Sequence, residues 1–281
     1  MNNSEHTIGV NSPKVKGNFA GHALPGAIIF TLGFWWYIKI LLMYVYKKQT
    51  RTYYIHSKAF FQRAEILEGI ISLCIILTGV IVLQIKAVNE DQWLRFLRFH
   101  HLTIYLFLAL WAVTNILCFS TRSIPVSLTK LMLTNAFLVT AFIFYNHNNG
   151  RKMVDSLLHQ LQSVATFLAG LVSFIELLIR KNIMLKILRS SFVLLQGSWL
   201  FQVGFVLYPP TGGPAWDLND HSNSTFLLMC FCWHYAFAYV VMGVVYVAVT
   251  WLAKWSIRNP CTSEFGLLKN AERDKESEEE M

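Results

Sequence analysis

The sequence predicts an all-α polytopic membrane protein, a bundle of seven transmembrane helices. Three observations carry this prediction. The 281 residues are 54% hydrophobic and only 14% charged, whereas soluble domains average about 25% charged residues. The mean hydropathy is +0.43, so the chain has too few polar residues to cover a soluble fold. The apolar residues also fall in blocks of about twenty, the helix length that crosses a hydrocarbon core.

The start and end signals of each apolar block place the spans in order. Pro25 suits the first turn of the first helix, where its missing N–H costs nothing. Glu65 and Glu68 open the second block, because a helix N-terminus favours carboxylates. The third begins near His100, the fourth ends at a polar turn over 146–150, and the fifth begins near Asp155. The predicted spans cover roughly residues 22–46, 64–85, 100–119, 126–145, 155–179, 183–207 and 225–251.

Three regions follow from this pattern. We expect a polar N-terminal arm over 1–20, a seven-helix transmembrane domain over 21–255 and a disordered cytosolic tail over 256–281, where charge dominates. The first twenty residues lack the short apolar core of a secretory signal peptide. The first span is therefore expected to act as the targeting signal itself.

The loop charges orient the bundle. Lysines and arginines follow spans one, three and five, whereas the loop over 208–224 contains neither residue. By the positive-inside rule, the N-terminus is predicted outside or lumenal and the C-terminus cytosolic. Basic loops that face anionic headgroups also account for the net charge of +8. The lipid bilayer is thus the predicted partner, and no nucleic acid is expected.

The cysteines, sequons and tail add smaller signals. Four of the five cysteines fall inside apolar blocks, which argues against a disulfide framework. Asn2 and Asn223 fit the N-glycosylation pattern, but Asn223 lies so close to the membrane that we expect it to be unused. Leu267 and Leu268 follow Glu264 in an arrangement that resembles a dileucine signal. Such a signal would bind sorting adaptors; the alternative is an ordinary solvated tail.

Several long stretches resemble a known family. They are GHALPG at 21–26, IPVSLTKLML at 124–133, AFIFYNH at 141–147, LLQGSWLFQVGFVLYPPTGGPAWDL at 194–218 and CFCWHY at 230–235. This text resembles the transmembrane protein 45 family, also called domain of unknown function 716. The resemblance implies a multi-pass protein of Golgi and endosomal membranes without an agreed reaction or substrate. The sequence departs from the family in its short connection over 86–91.

Glu68 and two histidines are the first candidates for a functional site, because ionisable residues within a span are functional by default. Glu68 shares a helix face with Glu65. It either points into the bundle, or it caps the helix with Glu65 and pairs with Arg63 at the membrane interface. His100 and His101 are neighbours about 100° apart on a helix, so one of them at most faces inward. Interface anchoring is the alternative for this pair.

The fifth span carries a second candidate pair. Asp155 and His159 are four residues apart and stack on one face, so the carboxylate can hold an imidazole N–H and orient the ring. A purely structural hydrogen bond is the alternative. Near the other end of this span, Glu176 precedes Arg180 by four residues, and we expect these two to pair.

The stretch around Pro209-Pro210 carries Gln196 and Gln202 before the break and His234 after it. The two glutamines lie about 120° apart on the helix, so at most one faces the centre. Gly197 and Gly204 would allow a close helix approach. An isolated buried histidine is more often hydrogen-bonded than metal-bound, which is the alternative for His234.

A metal site would need three or four ligands to converge. His159 and His234 are the candidate ligands, and no local motif such as HExxH marks a site. We therefore expect no cofactor.

Three classes of function fit these residues. The sequence favours a non-enzymatic endomembrane protein that acts through trafficking or partner binding. The second class is a transporter-like bundle that passes protons, ions or lipid past its buried Glu, His and Gln side chains. The third is a receptor or a metal-dependent lipid hydrolase, for which the sequence offers fewer matching residues. Whether copies of the chain form a homo-oligomer stays open.

Overall fold

The computed structural model of the chain describes residues 18–47, 51–87, 92–121, 123–146, 151–179, 182–210 and 216–258, and these contain helices joined by short connections. The helices are α1 (Ala20–Lys47), α2 (Arg51–Ala87), α3 (Gln92–Thr121), α4 (Val126–Asn146), α5 (Met153–Leu178), α6 (Ile183–Leu207) and α7 (His221–Arg258). All seven are long and apolar enough to cross a bilayer. The predicted all-α, seven-span class is confirmed.

Several helices are longer than their apolar blocks. The second begins at Arg51 and the third at Gln92, whereas apolarity predicted starts near 64 and 100. The last extends from His221 to Arg258 instead of 225–251. Apolarity marks the part of a helix that lies in lipid, but backbone hydrogen bonding continues into the polar flanks.

Of the predicted glycosylation and sorting residues, the structure describes Asn223. Asn2, Leu267 and Leu268 lie outside the described residues.

Helix α1 also begins earlier than predicted, at Ala20. The side-chain Oδ1 of Asn18 accepts a hydrogen bond from the Gly21 backbone N–H at 2.8 Å, as N-cap residues do. Pro25 consequently lies beyond the first turn, inside the helix.

Six of the helices form a closed ring. Each helix from α1 to α6 packs against the next in sequence, and α1 closes the ring by packing against α6. The seventh helix packs against α1, α5 and α6, and much of its surface remains exposed. One apolar cluster with residues from all six ring helices fills the middle; it includes Trp36, Ile76, Trp111, Leu133, Ala169 and Phe192.

Glycines explain the close contact of α1 and α6. A Cβ on Gly197 would overlap the backbone nitrogen of Phe30, and a Cβ on Gly26 would lie 2.6 Å from the Phe201 nitrogen. The two backbones therefore touch where side chains would normally separate them, as small residues permit in membranes. The predicted close approach at Gly197 is confirmed. Since α6 is also the most buried span, it forms the axis on which the others are placed.

Candidate functional site

Glu68 lies at the centre of a buried polar cluster at one end of the ring. The Glu68 side chain is 5% exposed. Its Oε1 accepts a hydrogen bond of 2.6 Å from the indole N–H of Trp36, and its Oε2 accepts one of 2.9 Å from Trp35. The Lys39 ammonium donates to Oε2 at 2.7 Å and also lies 2.8 Å from Glu65. In the structure, Glu68 points into the bundle, which is the first of its two predicted placements.

Local helix geometry places these groups. The two indoles and Lys39 project from about one turn of α1, and Glu65 and Glu68 are three residues apart on α2, so each set shares a face. The carbonyl of Glu65 is held by the Asn115 side-chain amide of α3 at 2.8 Å. Three helices thus position one lysine and two carboxylates.

Glu176 forms a second buried ion cluster at the same end. It lies 2.8 Å from Lys130 of α4 and 3.0 Å from Arg189 of α6. The Arg189 guanidinium also stands 4.6 Å from the ring centre of Trp36, within the range of a cation–π contact. The predicted partner Arg180 lies outside the described residues. Among the described residues, Lys130 of α4 and Arg189 of α6 pair with Glu176.

These two clusters are joined through Trp36, whose N–H binds Glu68 and whose ring contacts Arg189. We call the joined set the charge network: Lys39, Glu65, Glu68, Lys130, Glu176 and Arg189. It draws on α1, α2, α4, α5 and α6, and it holds three cations and three carboxylates. Because opposite charges are matched, the network lowers the cost of placing charge inside a membrane bundle.

The opposite end of the ring carries histidines. The Nδ1 of His159 lies 3.0 Å from Asp155 Oδ1, so the contact expected from their spacing is present. Arg151 binds the same carboxylate at 2.8 Å. The ring of His22, at the start of α1, contacts the His159 ring edge-on at 5.9 Å and the Tyr208 ring at 5.4 Å. Burial raises the pKa of the Tyr208 hydroxyl above its usual value, so Tyr208 stays protonated at neutral pH.

The two neighbouring histidines of α3 are placed differently. His101 is near enough to His22 and His159 to interact electrostatically with both, yet its ring remains accessible. His100 is half-buried. His101 thus lies beside the histidine end of the ring, which we define as His22, His101, Asp155 and His159.

The residues around the Pro209-Pro210 break do not converge. Gln196 is buried, and the Thr166 hydroxyl lies 3.2 Å from its Oε1. Gln202 is half-buried, so one glutamine faces inward, as the spacing required. The His234 ring packs edge-on against Trp199 at 5.7 Å, and its Nδ1 has no hydrogen-bond partner in the described part of the chain. Each of these side chains has different neighbours.

The structure gives the metal hypothesis no site. Within the described residues, no group of three or more His, Cys, Asp or Glu side chains has a geometry that could hold a metal ion. His159 contacts His22 and Asp155, whereas His234 contacts Trp199. The two candidate ligands therefore belong to different surroundings.

Sequence reasoning missed three participants: His22, Lys130 and Arg189. Each cation lies in an apolar block, so the rule that singled out Glu68 applies to it equally. A basic residue near a span end can also extend to the interface, and this ambiguity hid their roles. The sequence marked His22 only as the start of the first apolar block. Its partners His159 and Tyr208 lie far away along the chain, so no local spacing indicated them.

One comparison with known proteins concerns the C-terminal part of this bundle. Residues 126–247 match the family of unknown function DUF716. The match covers α4, α5, α6 and most of α7, and so includes Lys130, Glu176, Arg189 and His159. It supports the resemblance stated from the sequence motifs at the level of that family.

Three known membrane proteins are similar in sequence to this chain. The chain is 30% identical to transmembrane epididymal protein 1 of Homo sapiens over 137 residues, which are 48% of this chain and 50% of that protein. It is 28% identical to the protein of that name from Rattus norvegicus over 153 residues, 54% of this chain and 50% of the relative. Transmembrane epididymal protein 1A of Mus musculus is 30% identical over 114 residues, 40% and 37% of the two chains. The chain thus spans about half the length of the first two relatives.

Proposed function

We propose that this multi-pass membrane protein is a transporter-like bundle that moves protons or small ions through its ring of helices. The observation that carries the proposal is the placement of ionisable side chains at both ends of the ring. The charge network occupies one end, and His22, His101, Asp155 and His159 occupy the other. Such residues are rare within spans and mark ion pathways and proton relays.

Energetics also favour a functional reason for these residues. An apolar group of similar volume often replaces a buried ion pair without loss of stability. Packing the ring would thus require no charge, and a stable bundle could be apolar throughout. The connection of four ion pairs across five helices is what a transport path requires, because a permeating charge must meet counter-charges inside the membrane.

Charge movement in reconstituted membranes tests this proposal. Purified full-length protein in proteoliposomes should carry current or ion flux under an imposed potential. The variant His159→Ala should reduce that flux, and His221→Ala, at an exposed position, serves as the matched histidine control. Flux that is equal in both variants would remove the histidine end from the path, and a wild-type protein without flux of any ion would refute transport.

A second proposal concerns where the protein works. We infer from the resemblance that the chain is a close relative of transmembrane protein 45A, resident in Golgi and endosomal membranes and able to act through trafficking or partner binding. The sequence around Leu267 and Leu268 supports a role in trafficking, since a dileucine signal would recruit sorting adaptors. Changing both leucines to alanine should relocate the protein in cells, and an unchanged distribution would count against adaptor binding.

A further inference from the structure

Helix α5 carries a continuous row of polar side chains on its buried face. The row consists of Asp155, His159, Gln162, Thr166, Ser173 and Glu176, and we call it the α5 polar stripe. Its members are spaced by four, three, four, seven and three residues, so they share one helix face. The stripe spans 21 residues, or about 32 Å at 1.5 Å per residue. That length matches a hydrocarbon core of about 30 Å.

The stripe joins the two ends of the ring. Asp155 and His159 belong to the histidine end, and Glu176 belongs to the charge network. Between them, Gln162 is 1% exposed, and Thr166 and Ser173 are buried as well. The buried face of this transmembrane helix therefore presents donors and acceptors on both sides of its midpoint.

Several of these buried groups lack a hydrogen-bond partner among the described residues. They are both side-chain polar atoms of Gln162, the Ser173 hydroxyl, the Gln196 Nε2 and the Thr134 hydroxyl. Buried polar groups are bonded in the great majority of proteins, and ordered water supplies the missing partner where protein does not. The unpartnered groups are therefore positions at which ordered water would supply the missing hydrogen bonds.

Neighbouring helices add polar groups at the same levels. Gln196 of α6 accepts from Thr166. On α4, Phe137 and Leu138 lie against Gly170, and Lys130 lies against Glu176. Because α4 and α5 run antiparallel, Thr134 falls between these contacts, at the level of Ser173. The levels of Thr166, Ser173 and Glu176 therefore each have a polar residue from a neighbouring helix.

One step of the stripe is apolar. Ala169 occupies the position between Thr166 and Ser173 that would continue the four–three spacing, and it is fully buried in the central apolar cluster. The step from residue 166 to 173 covers about 10 Å along the helix. An apolar constriction of this kind can control passage by excluding water.

We propose that the α5 polar stripe is a hydrated proton path from His159 to Glu176, with an apolar gate at Ala169. This inference rests on the proposed transport function and names its substrate as the proton. Hydroxyls and water each accept one proton and release another, so the chain of hydrogen bonds moves charge without consuming a group. Gln162 and Gln196 orient the water. His159 takes up a proton at one end and passes one to the chain, while Glu176 accepts one from the chain at the other end and releases it. The charges facing these ends are Arg151, Asp155, His22 and His101 on one side and Lys130, Lys186 and Arg189 on the other.

Proton uptake into proteoliposomes tests the path. The full-length protein is reconstituted with an internal pH-sensitive dye, and a potassium gradient with valinomycin drives protons inward. Ala169→Ser places a hydroxyl at the gate and should raise proton flux by about tenfold, which corresponds to a barrier lowered by about 1.4 kcal/mol. Ser173→Ala and Gln162→Leu should lower it. Ala248→Ser, on the exposed face of α7, should leave it unchanged.

The outcomes separate this inference from the broader proposal. Proton flux that responds to Ala169→Ser and Ser173→Ala, but not to Ala248→Ser, supports the path. Proton flux that is equal in all variants overturns the path and leaves transport standing. Flux of potassium, sodium or chloride without proton flux overturns the choice of substrate. No flux of any ion overturns both. Ala169→Ser and Ser173→Ala change one oxygen each, and melting temperatures equal to wild type identify folded variants.

Discussion

Lys39 illustrates at the scale of one residue how this protein keeps a charge inside a membrane. A lysine at the centre of a transmembrane helix costs about 2.5–3.5 kcal/mol in insertion measurements. Here the ammonium lies 2.8 Å from Glu65 and 2.7 Å from Glu68, and two indole N–H groups complete the shell of Glu68. Every group in this cluster therefore depends on its neighbours.

This dependence predicts strong coupling between Lys39 and Glu68. Lys39→Met should lower the free energy of unfolding by about 3–5 kcal/mol, because it leaves two carboxylates without their cation. Adding Glu68→Gln should restore part of that loss, since a neutral amide oxygen still accepts from the indoles. Denaturant unfolding of detergent-purified protein measures both. Lys254→Met, at an exposed position, is the control, and a Lys39→Met effect no larger than this control would contradict the prediction.

At the scale of elements, the contact of α1 with α6 organises the ring. Gly26 and Gly33 on α1 face α6, and Gly197 and Gly204 on α6 face α1. A Cβ at Gly33 would lie 3.0 Å from the Leu194 backbone nitrogen, so even the less crowded positions leave little room. Lipid competes equally for apolar helix faces, and close backbone packing is what holds such a pair together.

The helix pair predicts opposite effects for two identical substitutions. Gly197→Ala forces the added methyl into the Phe30 backbone and should destabilise the protein by about 1–3 kcal/mol or more, as overpacking does. Gly243→Ala has nothing within 4 Å of the added Cβ, so the better helix propensity of alanine should leave stability equal or raise it by up to about 1 kcal/mol. Thermal unfolding with size-exclusion chromatography measures both, and equal melting temperatures would refute the tight pair.

At the scale of the molecule, the ring places ionisable groups at two levels with an apolar core between them. The charge network lies at one end, the histidines lie at the other, and the cluster around Trp111 and Phe192 separates them. The α5 polar stripe connects the levels along one buried helix face. Which end faces the cytosol follows from the basic loops and is a prediction of the sequence.

Protease protection in sealed microsomes tests that orientation. With the N-terminus lumenal and the C-terminus cytosolic, an epitope tag after Met281 should be digested without detergent, while a tag before Met1 should survive until detergent is added. The physical reason is the excess of Lys and Arg in the loops after spans one, three and five. The reverse pattern would invert the bundle and assign the charge network to the lumenal end.

Two predictions that depend on one helix alone, its length for a membrane span and a contact between its own residues, are confirmed by the structure. Apolar length decides whether a helix can span a bilayer, so the seven spans could be predicted, with errors at the polar ends of α2, α3 and α7. The Asp155–His159 contact could also be predicted, because residues four apart on a helix always share a face.

The sequence by itself determined the class of the protein, its seven spans and the one-helix contacts. Only the tertiary structure decided which distant polar groups meet: Lys39 with Glu68, Glu176 with Lys130 and Arg189, and His22 with His159. The physical reason is that each of these contacts needs two or more helices at one depth and one rotation. Depth and rotation are set by the backbone contact of α1 with α6 and by the closure of the ring, which spacing along a single helix does not encode.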